Sequence, residues 1–138
     1  MASPNSQTSY GLQNLSSNQA LRLLGKITGV DLNATGDTAF PIINASSYSV
    51  KDVVISKCSV AATTAAAAIL TAPASAGTAI LTATTLTLLT ASTVVLDYAP
   101  TTTAVQTAQT LYFRVTTALG SACTANVALY GYDFDANT

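Results

Sequence analysis

The sequence predicts an all-β chain: an antiparallel β-sandwich, jelly-roll-like, of about eight short strands, carrying an extended N-terminal arm. Three observations point there. Runs rich in Val, Ile, Thr and Tyr recur every 8–15 residues, separated by Gly, Pro, Asn and Asp turn signals. Thr, with 23 of the 138 residues, fits a pleated, half-buried surface. Ala, with 25, supplies small inward side chains that let two sheets pack closely.

Residues 1–20 read as the extended or flexible arm, since 11 of them are Ser, Asn or Gln and none is charged. Residues 21–138 make one domain of ordinary size. Leu21 to Asn33 is the first strand, and its alternation changes phase around Gly29, as a bulge would make it. Asn33 to Asp37 is a turn, and Thr38 to Ile43 is a short strand. Pro41 lacks an N–H for a ladder, so it belongs at a sheet edge or an irregular point. Ser49 to Val60 reads as a central strand, because consecutive Val53, Val54 and Ile55 require cover on both faces.

Ala66 to Thr71 and Thr78 to Ala83 read as a hairpin around Pro73–Gly77. The run Ala65–Ala68 argues for helix by propensity; the flanking Thr residues and the Pro-Gly turn favour strand. Short strands are expected at Leu86–Leu89 and Val94–Tyr98, then a polar loop at Thr101–Gln109. In Leu111–Thr117, Leu111, Phe113 and Val115 share one face while Tyr112, Arg114 and Thr116 share the other. Gly120-Ser121 is a turn. Ala125 to Phe134 is the last strand, with Val127 and Leu129 opposite Tyr130 and Tyr132.

Charge is sparse. Five Lys or Arg and six Asp leave a net charge of −1, and no charge falls between Lys57 and Asp97. The charged fraction is 8%, against about 25% in ordinary domains. No basic patch exists to neutralise phosphates, so nucleic acid is not an expected partner. The uncharged stretch is too apolar to leave a well-solvated monomer surface, and a homo-oligomer, with a trimer as its natural form, is expected. The Ser- and Asn-rich N-terminus does not read as a secretion signal. Thr78–Leu96 nears the length of a membrane span, but seven of its 19 residues are Thr and no membrane partner is expected.

Catalytic chemistry finds little to work with. The chain has 36 Ser and Thr but no His and no Glu, so a hydroxyl nucleophile would lack an activating base. No enzyme, no catalytic residue, no metal and no cofactor is expected. Asp31-Leu-Asn33 imitates a calcium loop, yet the twelfth position, which needs Glu, is Ile42. Asp133 and Asp135 form a near pair of carboxylates, for which a solvated tail is the expectation. Cys58 and Cys123 read as two small buried residues, bridged only if their strands are neighbours. The candidate interface residues are Tyr10, Leu12 and Leu15, spaced along the arm as anchors, and Tyr130 and Tyr132, which offer apolar area with a polar tip.

Several short motifs occur in a fixed order. Leu32-Asn-Ala-Thr-Gly-Asp-Thr38 is followed by Ile69-Leu-Thr-Ala72 and Gly77-Thr-Ala-Ile80. Then come Thr110-Leu-Tyr-Phe-Arg-Val-Thr-Thr-Ala-Leu-Gly120 and Ala125-Asn-Val-Ala-Leu-Tyr-Gly131. Over roughly residues 27–134 this order resembles small structural proteins of tailed bacteriophages and prophages, of the capsid decoration or cement type. The chain departs from them in the hairpin, with Ala67-Ala68 and Ala76-Gly77 where they often have Gly-Gly and Lys-Gly. The resemblance implies a virion component made in the host bacterial cytoplasm and placed on the capsid exterior, with the major capsid protein as partner. The alternative from another class is a head-fibre or tail-associated adhesin that binds a host surface glycan.

Overall fold

A computed structural model describes residues 21–43, 45–90 and 95–134. More than half of these lie in eight strands: β1 (Arg22–Asp31), β2 (Gly36–Pro41), β3 (Tyr48–Ser56), β4 (Ala66–Leu70), β5 (Ala79–Thr85), β6 (Val95–Tyr98), β7 (Thr110–Thr117) and β8 (Thr124–Asp133). No helix occurs among the described residues.

The strands form two antiparallel sheets of four, sheet A in the order β1-β8-β3-β6 and sheet B in the order β2-β7-β4-β5. The pairing follows one rule. β4 pairs β5, β3 pairs β6, β2 pairs β7 and β1 pairs β8, as though one long hairpin had been rolled up. The roll closes where β8 meets β3 and β7 meets β4. This is jelly-roll order, in which each half of the chain supplies alternate strands to both sheets.

Local sequence explains most of the frame. β1 shifts register between Ile27 and Val30, and Gly29 within that step takes a φ of 65°, which an L side chain adopts only with strain. β2 pairs β7 alone, so Pro41 sits on an edge strand as expected. β3 is interior and buries Val53 and Ile55 completely. β7 buries Leu111, Phe113 and Val115 on its inner face. With Leu24, Phe40, Ile69, Ile80, Val127 and Leu129 they fill the space between the sheets.

The alanine run is a strand despite its helix propensity. Every residue of β4 is buried. Ala67 and Ile69 belong to the core. Ala68 faces the other way, opposite Arg114 of β7, whose guanidinium reaches Asp37 of β2 at 3.0 Å. The β4–β5 turn is tied to the same carboxylate, Ala74 N–H donating to Asp37 at 2.9 Å. Strand cover on both faces overrides propensity here.

Two expectations are corrected. Leu86–Leu89 is a turn, not a strand: Leu89 N–H donates to Leu86 C=O at 2.9 Å. Leu86 and Leu89 point into the core while Thr87 and Leu88 face out, a spacing of three that alternation cannot supply. Asp133 is not a solvated tail. It ends β8 buried, and Arg22 of β1 donates to it at 2.7 Å. Asp135 lies outside the described residues.

Candidate interaction surface

β8 crosses the middle of sheet A. Its odd-numbered residues Val127 and Leu129 turn into the core, so Tyr130 and Tyr132 stand half-buried on the outer face. Tyr130 lies opposite Leu23 of β1 on one side and Asp52 of β3 on the other; Tyr132 lies opposite Ser49. Cross-strand neighbours at these distances share contact area. The two tyrosines therefore belong to a continuous surface. The other three sequence-derived candidates, Tyr10, Leu12 and Leu15, lie outside the described residues.

Sequence reasoning missed the aliphatic part of this surface. Leu21, Leu23 and Ile43 are 49–53% exposed and gather, beside the aromatic Phe134, at the end of the sandwich where β1 begins and β8 finishes. Ile43 is held there by its N–H, which donates to Leu24 C=O at 2.8 Å, and Phe134 by its N–H to Ser47 C=O at 2.9 Å. A cavity of about 190 Å³ opens among Leu23, Leu24, Ile43 and Ala45, with the Arg22–Asp133 pair in its wall. The signal was present in the sequence. Leu21, Leu23 and Leu24 are apolar in both phases of one strand, and Ile42-Ile43 places one isoleucine in and one out.

Carboxylates border the tyrosines. The carboxyls of Asp52 and Asp97 lie within hydrogen-bonding reach of each other, on adjacent strands of sheet A. Lost hydration against β3, and then Asp52 itself, hold the Asp97 pKa above the ordinary carboxylate value. Lys51 approaches Asp52 to 4.0 Å. At the opposite edge, Asp31 Oδ1 accepts from Asn33 N–H at 2.8 Å and Asn33 Oδ1 from Gly120 N–H at 2.9 Å. Asp31 Oδ1 and Asn33 Oδ1 of the calcium-loop look-alike are thus taken up by turns.

Among the described residues no three His, Cys, Asp or Glu side chains converge to hold a metal ion, and no helix is long and apolar enough to cross a membrane. What the surface offers is apolar and aromatic area rimmed by hydroxyls and a few carboxylates. A scan of protein-family models and searches of curated proteins and of solved structures give no match. Fold and surface define an eight-stranded jelly-roll sandwich with an exposed apolar and aromatic end.

Proposed function

We propose that the chain is a capsid cement or decoration protein, which docks on the outside of a phage head and reinforces contacts between major capsid subunits. The observation that carries this reading is the surface of Leu21, Leu23, Ile43, Tyr130, Tyr132 and Phe134 on a domain with almost no charge. Large exposed aliphatic and aromatic groups clustered in one place mark a protein-binding surface. The jelly-roll architecture serves capsid and lectin domains alike, so the surface and not the fold separates the readings. The resemblance of the motif order to phage decoration proteins adds to it.

The mechanism is burial. At about 25 cal/mol per Å², some 1,000 Å² of apolar contact contributes on the order of 25 kcal/mol, against an association cost of about 4–15. Repetition over a shell turns modest single contacts into avidity. Tyr10, Leu12 and Leu15 of the arm are proposed as further anchors.

The test is co-sedimentation with heads purified from the encoding phage and stripped of this chain. Leu23→Asp and deletion of residues 2–17 are each expected to reduce the pelleted fraction at least tenfold and to return the heat resistance of the heads to the stripped level. Wild-type protein that stays in the supernatant, or both variants decorating heads as well as wild type, would overturn the reading.

One observation favours the second reading, a module that binds host surface glycan. Tyr130 stands directly opposite Asp52, which neighbours Asp97. An aromatic face beside carboxylate acceptors suits the C–H and O–H groups of a sugar. Cell binding by the isolated chain, abolished by Tyr130→Ala, would favour it over the first.

A further inference from the structure

Two thiols meet at the far end of sheet A from the apolar patch. The chain leaving β3 keeps company with the start of β8: Ser59 N–H donates to Thr124 C=O, and Thr124 N–H to Ser59 Oγ, both at 3.0 Å. This pairing brings Cys58, partly exposed, against Cys123, buried, with 3.2 Å between their sulfurs. Both thiols point toward Val60 C=O, at 2.7 Å from Cys58 and 3.6 Å from Cys123. A disulfide requires the sulfurs to close by only about 1 Å more. The surrounding backbone bonds already hold the two chain segments side by side.

We propose that Cys58 and Cys123 are an oxidant-installed staple, a dithiol inside a reducing cell and an intramolecular disulfide after exposure to a low-molecular-weight disulfide. Cys58 attacks first, being the accessible one. Its thiolate bonds to one sulfur of the oxidant, breaks the oxidant's S–S bond and expels one thiolate. Cys123, after losing its proton, attacks Cys58 Sγ in that mixed disulfide and expels the second thiolate. Both leaving groups take up the protons the cysteines gave. Two electrons pass from the protein sulfurs to the oxidant, which ends as two thiols.

The geometry also sets the rate. Burial, and then the neighbouring Cys123, push the Cys58 pKa up to about 11. Little thiolate exists at neutral pH, so the pair stays reduced under mild conditions and reacts faster as pH rises toward that value. Once formed, the bond spans 65 positions of sequence, from the end of β3 to the start of β8. A loop of that length, removed from the unfolded ensemble, raises the thermal midpoint by on the order of 10 °C. On the virion reading the pair would be reduced during assembly and oxidised after release. That timing rests on the reading above; the bond itself does not.

The experiment uses the full chain, reduced, then held with oxidised glutathione at pH 7 and at pH 9 with no capsid present. The expected product loses about 2 Da, has no titratable thiol, yields a linked peptide pair containing Cys58 and Cys123, and forms faster at pH 9. Its melting midpoint rises, and reductant reverses the rise. Cys58→Ser and Cys123→Ser, each folded by circular dichroism, should show neither change. Thiols that stay titratable, stable glutathione adducts, chain-to-chain disulfides or an unchanged midpoint would each overturn the proposal. Because no head is involved, such a failure leaves the docking reading where it was.

Discussion

Single side chains do unusual amounts of fastening in a protein with so few charges. Tyr48 is completely buried at the start of β3. Its hydroxyl donates to Ala108 C=O, and its N–H and C=O pair with Gln106, so one residue ties the 99–109 loop to sheet A. Burial pushes its pKa up to about 12, which keeps the phenol a donor across the physiological range. Tyr48→Phe leaves the Ala108 carbonyl without this donor, and a loss of about 1–3 kcal/mol is expected in urea unfolding. A loss below a few tenths would mean that water replaces the hydroxyl. Asp97 makes the opposite kind of contribution. Its folded pKa is raised, so the folded chain holds that proton more tightly than the unfolded chain. The contribution favours the fold below the unfolded carboxylate value and is lost as pH rises through the raised one. Asp37 runs the other way. Its pKa is lowered, first by the Ala74 N–H and, after an opposing desolvation, by the Arg114 guanidinium, so its contribution is lost as pH falls. Comparing Asp97→Asn with wild type cancels the Asp37 effect. The variant's advantage in thermal midpoint should grow between about pH 4 and pH 7. A difference that stays flat with pH would show that Asp97 titrates in the folded chain as it does in the unfolded one.

At the scale of elements, sheet A depends on backbones that come unusually close. A Cβ added at Gly131 of β8 would fall 2.0 Å from Ser49 C=O of β3 and 2.9 Å from Leu24 Cδ1 of β1. No rotamer change relieves a clash with backbone, so Gly131→Ala must push β8 away from β3 where the roll closes. A destabilisation of at least about 2 kcal/mol is expected, with the far-ultraviolet spectrum still that of a β protein. A neutral effect would mean that the β3–β8 register shifts at Val50/Asp52 to absorb the methyl. The same closeness explains what could be read from the sequence. β7 and β8 were legible because they alternate, with Leu111, Phe113 and Val115 in and Tyr130 and Tyr132 out. Pro41 limited β2 to an edge or an irregular point, of which the structure has the edge, and Gly29 marked the bulge in β1. The Leu86–Leu89 turn was not, since four apolar or β-branched residues look like a strand until Leu86 and Leu89 are seen to face the core three apart. Nor was the fate of Asp133, because its partner Arg22 lies 111 positions away. Of the candidate surface, the tyrosines showed in the pattern of β8. Their neighbours Leu23 and Asp52 depend on strand order, which no local pattern encodes.

For the molecule as a whole, the question is which surface a second copy would use. Edge strands invite pairing, and proteins commonly blunt them with charge. The edge strand β5 carries no charge and is closed with hydroxyls instead. Thr101 N–H donates to Ile80 C=O at 2.7 Å, Thr101 Oγ1 accepts from Thr82 N–H at 2.8 Å, and Thr84 Oγ1 donates to Thr82 C=O at 2.8 Å. Ile80 C=O and both backbone groups of Thr82, which a neighbouring strand would need, are already engaged. β1 is bulged and bears Arg22, Lys26 and Asp31, β2 bears Asp37 and Pro41, and β6 bears Asp97. Strand addition is thus discouraged at every edge, and copies would have to associate through side chains outside the apolar end that is proposed to face the head. We expect a homo-oligomer, with a trimer as the form suited to three-fold positions on a shell. Static light scattering at micromolar concentration should then give about three times the 14.0 kDa chain mass. Leu23→Asp should leave that mass unchanged, because Leu23 belongs to the surface proposed to face the head. Thr101→Ala should leave the defined oligomer in place but unblock β5, so its signature is slow growth of large aggregates rather than dissociation. A wild-type chain that scatters as a monomer would remove the oligomer altogether. A Leu23→Asp variant that falls to the single-chain mass would place the subunit contact on this end of the sandwich and remove it as the surface that faces the head.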